Sequence, residues 1–372
     1  MKAINPIITD QEGFELLHEI AEEFYHLPLV SIIVNNYNYA RFLREAIDSA
    51  LDQTYSPIEV IVVDDGSTDN SQEIIATYKD KIVPVFKENG GQASAFNAGF
   101  AVSHGEIVMF LDADDYLFPR AVERVVTAWE PDVAKVHYRL VVIDAFGKPQ
   151  GLYPSADRTL DCGEVWQILL AKGRYGTSVT SGNGFSRAVL DKILPVPENE
   201  FKIAADGYLV NLVPFYGQVV SIEQPLGSYR IHGSNSWALN KVEIDRFRKF
   251  IQHDLQRYEL LKSKASEYGY TQIQDLSCRD YLHLQVRISS LRLNPQNHPV
   301  SSDSRLTLSY KGVWAVWRYS EFAWKKRLLL SMWFIWVGLM PLPMVKPAIS
   351  WLFVPQSRPI SSKSSRSLVL DT

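Results

Sequence analysis

Within residues 29–112 the chain alternates four times between a short apolar run and a stretch with helical spacing. The runs are LVSIIV (29–34), EVIVVD (59–64), KIVPVF (81–86) and EIVMFLD (106–112). Each is too short for a typical helix and is rich in Val and Ile. Such runs read as strands buried on both faces. Between the first two, Phe42, Leu43, Ala46, Ile47, Ala50 and Leu51 recur on one helical side. Further helices are expected near 70–78 and 93–103. Parallel strands need crossover connections, so this alternation predicts an α/β chain: a mostly parallel sheet with helices on both faces.

A sheet of this kind gathers functional residues in the crevice at the C-terminal ends of its strands. Three polar clusters fall at those ends: NNYN (35–38), DDGSTD (64–69) and DADD (112–115). In extended chain Asp112 and Asp114 share a face while Asp115 points away. Two converging carboxylates suit Mg²⁺ or Mn²⁺, with water and phosphate oxygens filling the other positions. A calcium loop starting at Asp112 has Glu123 at its twelfth position but Leu117 where the sharp turn needs Gly, and that reading fails. A phosphatase using DxD after an apolar strand is a remote alternative. A solvated turn with capping aspartates is the bland one, and the neighbouring clusters weigh against it.

Beyond residue 130 the pattern loosens. VAKVHYRLVVID reads as further strands, and GNGFSRAVLDKI (182–193) as a turn leading into a short helix. FKIAADGYLVNLVPFYG (201–217) reads as a helix with Asp206 near its start, QVVSIEQPLGSYRIH (218–232) as a strand pair, and 240–290 as charged helix. A net charge of -4 gives no reason to expect nucleic acid. Cys162 and Cys278 fit neither a disulfide framework nor a metal knuckle, and two reduced thiols accord with a cytosolic setting. MKAINPIITDQEGFELLHEIAEEF lacks the basic and apolar regions of a signal peptide. Phe14, Leu17, Ile20 and Phe24 mark a short amphipathic helix over 11–26.

Four segments together carry a resemblance: VSIIVNNYN, QTYSPIEVIVVDDGSTDNS, ENGGQASAFNAGFAVSHGEIVMFLDADD and YRIHGSNS. In this order, over roughly residues 29–235, the chain resembles a family 2 glycosyltransferase of the inverting GT-A type. The resemblance implies a Rossmann-like GT-A fold and transfer of a sugar from a UDP- or dTDP-sugar to a hydroxyl. By that likeness Asn35 and Tyr37 line the base pocket and Asp65, with Asp64 beside it, accepts from a pyrimidine N–H. Gly91, Gln92 and Asn97 approach the nucleotide through a Gly-rich turn. Asp112 contacts the ribose or shares the metal, Asp114 is the main ligand of Mn²⁺ or Mg²⁺, and Asp115 supports the loop. Asp206 is the base, although Ala205 replaces the Glu that relatives often carry before it. Arg230 and His232 lie where relatives close over the diphosphate. A degenerate homologue that binds nucleotide or glycan without catalysis is the runner-up, resting on Ala205 alone.

The tail KKRLLLSMWFIWVGLMPLPMVK (325–346) holds 18 uncharged residues between basic flanks. Cations on both sides favour an interfacial or re-entrant segment over a span, with a buried helix as the other rival. The expected organisation is a helical lead (1–28), a catalytic domain (29–235), a helical extension (236–325), a membrane-associated segment (326–356) and a disordered tail (357–372). The implied acceptor is a glycan or lipid-linked molecule in surface polysaccharide or glycolipid assembly. The implied location is the inner face of the cell membrane.

Overall fold

The computed structural model describes residues 27–202, 204–232, 244–270 and 275–354. The expected helix at 11–26, the end of the catalytic segment at 233–235 and the tail at 357–372 lie outside the described residues. Four parallel strands follow the apolar runs: β1 (Val30–Asn36), β2 (Ile58–Asp64), β3 (Val83–Phe86) and β4 (Ile107–Asp112). The remaining strands are β5 (Val133–Asp144), β6 (Pro149–Tyr153), β7 (Asn183–Ser186) and β8 (Gln218–Ile231). They form one eight-stranded sheet in the order β3-β2-β1-β4-β7-β5-β6, with β8 pairing β5.

Alternate residues of each buried strand feed opposite cores, which is why the runs show no polar alternation. On one face Ile32, Val34 and Val62 pack against α1 (Ala40–Leu51), α2 (Ser71–Ala76) and α4 (Ala121–Thr127). On the other, Ile33, Val63 and Phe110 pack against α3 (Gln92–Val102), α6 (Arg187–Ile193) and α7 (Ala205–Leu212). The predicted fold class holds: a mixed α/β sheet with helices on both faces and a helical C-terminal region.

Two elements differ from the sequence expectation. Residues 183–186, expected as a turn, form β7, antiparallel to both β4 and β5 between which it inserts. NGFS lacks any apolar run, so only the vacant place between its neighbours makes it a strand. Residues 218–231, expected as a strand pair, form one 14-residue strand. Pro225 cannot donate to the ladder, and the register shifts near it absorb the irregularity without ending the strand.

α5 (Val165–Lys172) precedes the C-terminal helices α8 (Ile244–Glu267), α9 (Tyr281–Leu293), α10 (Arg305–Tyr319), α11 (Trp324–Leu339) and α12 (Leu342–Phe353). Their shared core contains Phe247, Ile288, Val316, Phe334 and Ile349. An ionic network joins this layer to the sheet half. Arg174 donates to Asp254 at 3.1 Å and Asp280 at 2.8 Å, and Arg257 contacts the same two carboxylates. The hydrophobic tail is two helices, broken where Pro341 and Pro343 deny the chain an i→i−4 ladder. No described helix is long and apolar enough to cross a membrane. α10 and α11 pack antiparallel at close range because Gly312 faces the Phe334 ring. A Cβ on Gly312 would fall 2.2 Å from Phe334 Cε1. Gly312→Val should therefore destabilise the protein by about 1–3 kcal/mol through overpacking, read as a lower midpoint in thermal denaturation.

Candidate active site

Parallel register puts the polar clusters side by side. Asn35 pairs with Asp112 across β1 and β4, and Asn36 with Asp64 across β1 and β2. Asp64 is fully buried and accepts from Asn36 Nδ2 at 2.8 Å, Gln72 Nε2 at 3.1 Å and the Ser67 N–H at 3.1 Å. It pins the turn leading to α2 and is not among the cavity-lining residues. Tyr37, nearly half exposed, presents its ring to the cavity. Asn35 also lines it, donating to the Leu111 carbonyl and Asp112 Oδ1, while its buried Oδ1 has no partner among the described residues.

The Gly-rich turn is organised by Asp65. Its carboxylate accepts from the Gly90 and Gly91 N–H groups at 2.9 and 2.7 Å and pairs with Lys87 Nζ at 2.6 Å. Gly91 has φ +88°, and a Cβ there would meet the Lys202 carbonyl at 2.5 Å, so only glycine fits. The Gln92 N–H donates to that same carbonyl. The sequence expectation that these amides are open to a nucleotide is thereby corrected, because Asp65 and Lys202 already occupy them. Asp65 and Gly91 themselves do line the cavity. Asn97 does not: its amide clasps the Val196 backbone through both Nδ2 and Oδ1, one turn further along α3.

The acid loop follows β4. Asp112 Oδ1 accepts from Gln92 Nε2 at 3.2 Å and Asn35 Nδ2 at 3.4 Å. Asp115 accepts from Ser181 Oγ at 2.6 Å and from the Arg230 N–H at 2.7 Å, so it fastens the loop from below. Asp114 Oδ2 lies 2.9 Å from His232 Nε2. Burial, then the charges of Asp114 and Asp206, pushes the Asp112 carboxyl well above the ordinary carboxylate range. Burial, then Asp114 and Asp112, does the same to Asp115. Arg230, expected over a diphosphate, is instead buried behind the loop. Its Nε donates to the Asp114 carbonyl at 2.7 Å and its guanidinium reaches Glu45. Neither Arg230 nor His232 is among the cavity-lining residues. Among the described residues no group of three His, Cys, Asp or Glu is set as a closed metal cage. The donor set still fits a hard divalent cation, which keeps water and phosphate ligands and needs only one or two carboxylates from the protein. The crowding of negative charge on Asp112 and Asp114 is the repulsion such a cation relieves.

Asp206 opens α7 and faces the same cavity. Gln92 holds that helix in place. Its Oε1 accepts from the Ala204 and Ala205 N–H groups, both at 3.0 Å, while its Nε2 donates to Asp112. One side chain thus ties the acid loop to the helix that carries Asp206, and it caps a helix whose N-cap residue, Ala204, has a left-handed φ of 72°. Burial raises the Asp206 carboxyl, against the lowering effects of the Gly207 N–H, Lys135 and Thr180. Lys135 is fully buried and donates to Tyr175 Oη at 2.7 Å and Thr177 Oγ1 at 2.6 Å. Burial depresses its amine far below the usual lysine range. Gln92→Ala should lower activity at this site by about 10–100-fold, the range seen when a supporting hydrogen-bond partner is removed. It should cost about 1–3 kcal/mol of stability through the orphaned N–H groups. Initial rates and thermal denaturation check the two effects.

The cavity has a volume of ≈ 1260 Å³ and continues past Asp206 to Phe250, His253 and Arg257 of α8, Gln285 of α9 and Phe353 of α12. The C-terminal layer is one wall of the site. Sequence reasoning missed Gln92's bridging role, Thr180 and Ser181, Lys135 and this wall. Only Lys135 left a trace in the sequence, a lone cation inside an apolar strand.

Residues 31–193 match the family model described as Glycosyl transferase family 2. An uncharacterised glycosyltransferase of Nostoc is 41% identical over 212 residues, which cover 56% of this chain and 66% of that protein. The chondroitin synthase of Pasteurella multocida is 43% identical over 102 residues, covering 27% of this chain and 11% of the synthase. The chain thus matches just under two thirds of the first relative and far less of the second. Among solved structures, S. aureus TarS 1–349 in complex with UDP-GlcNAc aligns with a TM-score of 0.49 at 16% identity. That alignment covers 87% of this chain and 91% of TarS 1–349.

Proposed function

We propose that this chain, a family 2 glycosyltransferase by its match over residues 31–193, moves a sugar from a UDP- or dTDP-sugar to a hydroxyl of a glycan or lipid-linked acceptor, with inversion. The observation that carries this reading is the shared cavity of Asp206 and the Asp112–Asp114 pair, coupled through Gln92. Catalysis is assigned to residues 29–235, with the extension 236–325 counted as part of the acceptor wall and 326–356 as membrane-associated. The sequence likeness to a chondroitin synthase over part of the domain supports a role in glycan assembly, and the basic flanks of the apolar residues 328–345 support the cytosolic face of a membrane as its place.

Tyr37 offers a flat face to a pyrimidine, and Asn35 Oδ1 is a buried acceptor awaiting a donor. Asp112 and Asp114, with His232 against Asp114, would hold Mn²⁺ or Mg²⁺. When bound, that cation neutralises charge on the departing diphosphate. Asp206 takes the proton from the acceptor hydroxyl as its oxygen bonds to the anomeric carbon and the bond to the nucleotide diphosphate breaks. A carboxyl whose pKa is raised by burial is a stronger base once ionised, which suits this task. The walls from α8, α9 and α12 extend the cavity beyond Asp206 and give an acceptor a surface to rest on. Calorimetric titration with UDP, with and without Mn²⁺, tests the reading: it requires binding that strengthens with metal. Binding indifferent to the cation would remove the role given to the acid pair.

A further inference from the structure

From Leu328 to Leu339, beyond the basic first turn, the outward side of α11 is apolar. Leu328, Leu329, Met332, Ile335, Trp336 and Leu339 are each between 42% and 54% exposed, and no polar side chain interrupts them. The opposite side of the helix is satisfied, with Trp333, Phe334 and Val337 buried in the C-terminal core. The surface continues onto α12 through Leu342 and Met344, and the Trp336 indole N–H donates to the Met344 carbonyl across the break. α10 borders it with Tyr310, Trp314 and Trp317, the last bonded through its indole N–H to Ser331 of α11. A contiguous apolar surface of this kind marks an interaction site.

Charge identifies the occupant. Residues 304–354 contain seven cations (three arginines and four lysines), of which Lys326 pairs with Asp157, against a single carboxylate, Glu321, which Lys172 pairs. The whole chain, by contrast, is acidic. Two copies meeting through this face would bring their cations together, whereas an anionic headgroup layer complements them. Exposed Trp and Tyr beside Lys and Arg suit a headgroup layer. α11 has 16 residues, about 24 Å, which is short of a span but ample for a helix lying in the interface plane. We propose that α11, the start of α12 and the aromatic edge of α10 dock the chain on an anionic lipid bilayer. α12 runs from this face to Phe353 on the cavity wall, so docking brings the acceptor end of the site to the membrane. The inference deepens the reading of the acceptor as membrane-borne and rests on it for that orientation.

Flotation of the full chain tests the face, using vesicles of phosphatidylcholine alone and vesicles with about one third phosphatidylglycerol. The chain should float with the anionic vesicles, and Met332→Glu/Ile335→Glu should weaken that binding about tenfold or more. Lys325→Glu/Lys346→Glu should abolish the preference for anionic lipid. Both variants replace exposed residues, and UDP titration on the same samples should be unchanged. Absence of flotation, or flotation unchanged by the glutamates, would overturn the proposal. So would a dimer that the glutamates dissociate in protein that never floats. UDP binding reports on the catalytic reading separately, so failure of one does not mimic failure of the other.

Discussion

Asp206→Asn should retain nucleotide binding and lose sugar transfer by about 10³-fold, within the range that a positioned general base contributes. The substitution keeps the shape and the first-turn position of the side chain at the start of α7, and it leaves Gln92's grip on the Ala204 and Ala205 amides intact. What it removes is the carboxylate proposed to take the acceptor's proton. The pH dependence follows the same group. Burial raises the Asp206 carboxyl, so the ionised base is lost as pH falls through a pKa above the ordinary value of about 3.9. Transfer by the natural protein should therefore rise with pH along an acid limb displaced upward, and the residual rate of Asp206→Asn should lack that limb. Asp206→Asn with unchanged transfer would place the base elsewhere. A natural protein that binds nucleotide without any transfer would favour the runner-up, a binding homologue.

Asp114→Asn is expected to weaken Mn²⁺-dependent UDP binding by about a hundredfold, because it removes the charge proposed as the main protein anchor of the cation. Asp114 is 7% exposed and its backbone carbonyl accepts from Arg230 Nε, so the loop's course should persist in the variant. Binding of UDP in the absence of metal should change little. The contrast matters, since a collapsed loop would weaken both measurements together. His232 touches the same carboxylate, and replacing it should give a smaller effect of the same kind.

The parallel sheet and its acidic edge were legible because burial on both faces writes continuous apolar runs, and polar residues at their ends have few other reasons to be there. Asp112, Asp114 and Asp206 line one cavity together with Asn35, Tyr37, Asp65, Gly91 and Gln92. The misread positions share a cause. Asp64, Asn97 and Arg230 are polar residues in motif segments, yet each satisfies backbone or side-chain partners brought close only by the fold. Sequence places such residues near a site without saying which way they point. β7 was invisible because its four residues carry no periodic signal, and its strand geometry comes from the gap between β4 and β5. The hydrophobic tail was read as one segment because its apolar residues are continuous. Its division at Pro341 and Pro343, and the burial of one side of α11, decide that it forms a two-helix surface.

Transfer of sugar from a pyrimidine nucleotide in this cavity, with Asp206 as base, is the proposal on which the rest depends. The most direct measurement is nucleotide release from a panel of UDP-, dTDP- and GDP-sugars in the presence of Mn²⁺ by the natural protein and by Asp206→Asn. Turnover of at least one UDP- or dTDP-sugar by the natural protein, lost in the variant, is the expected result. Turnover confined to GDP-sugars, or equal rates in the two proteins, would contradict it.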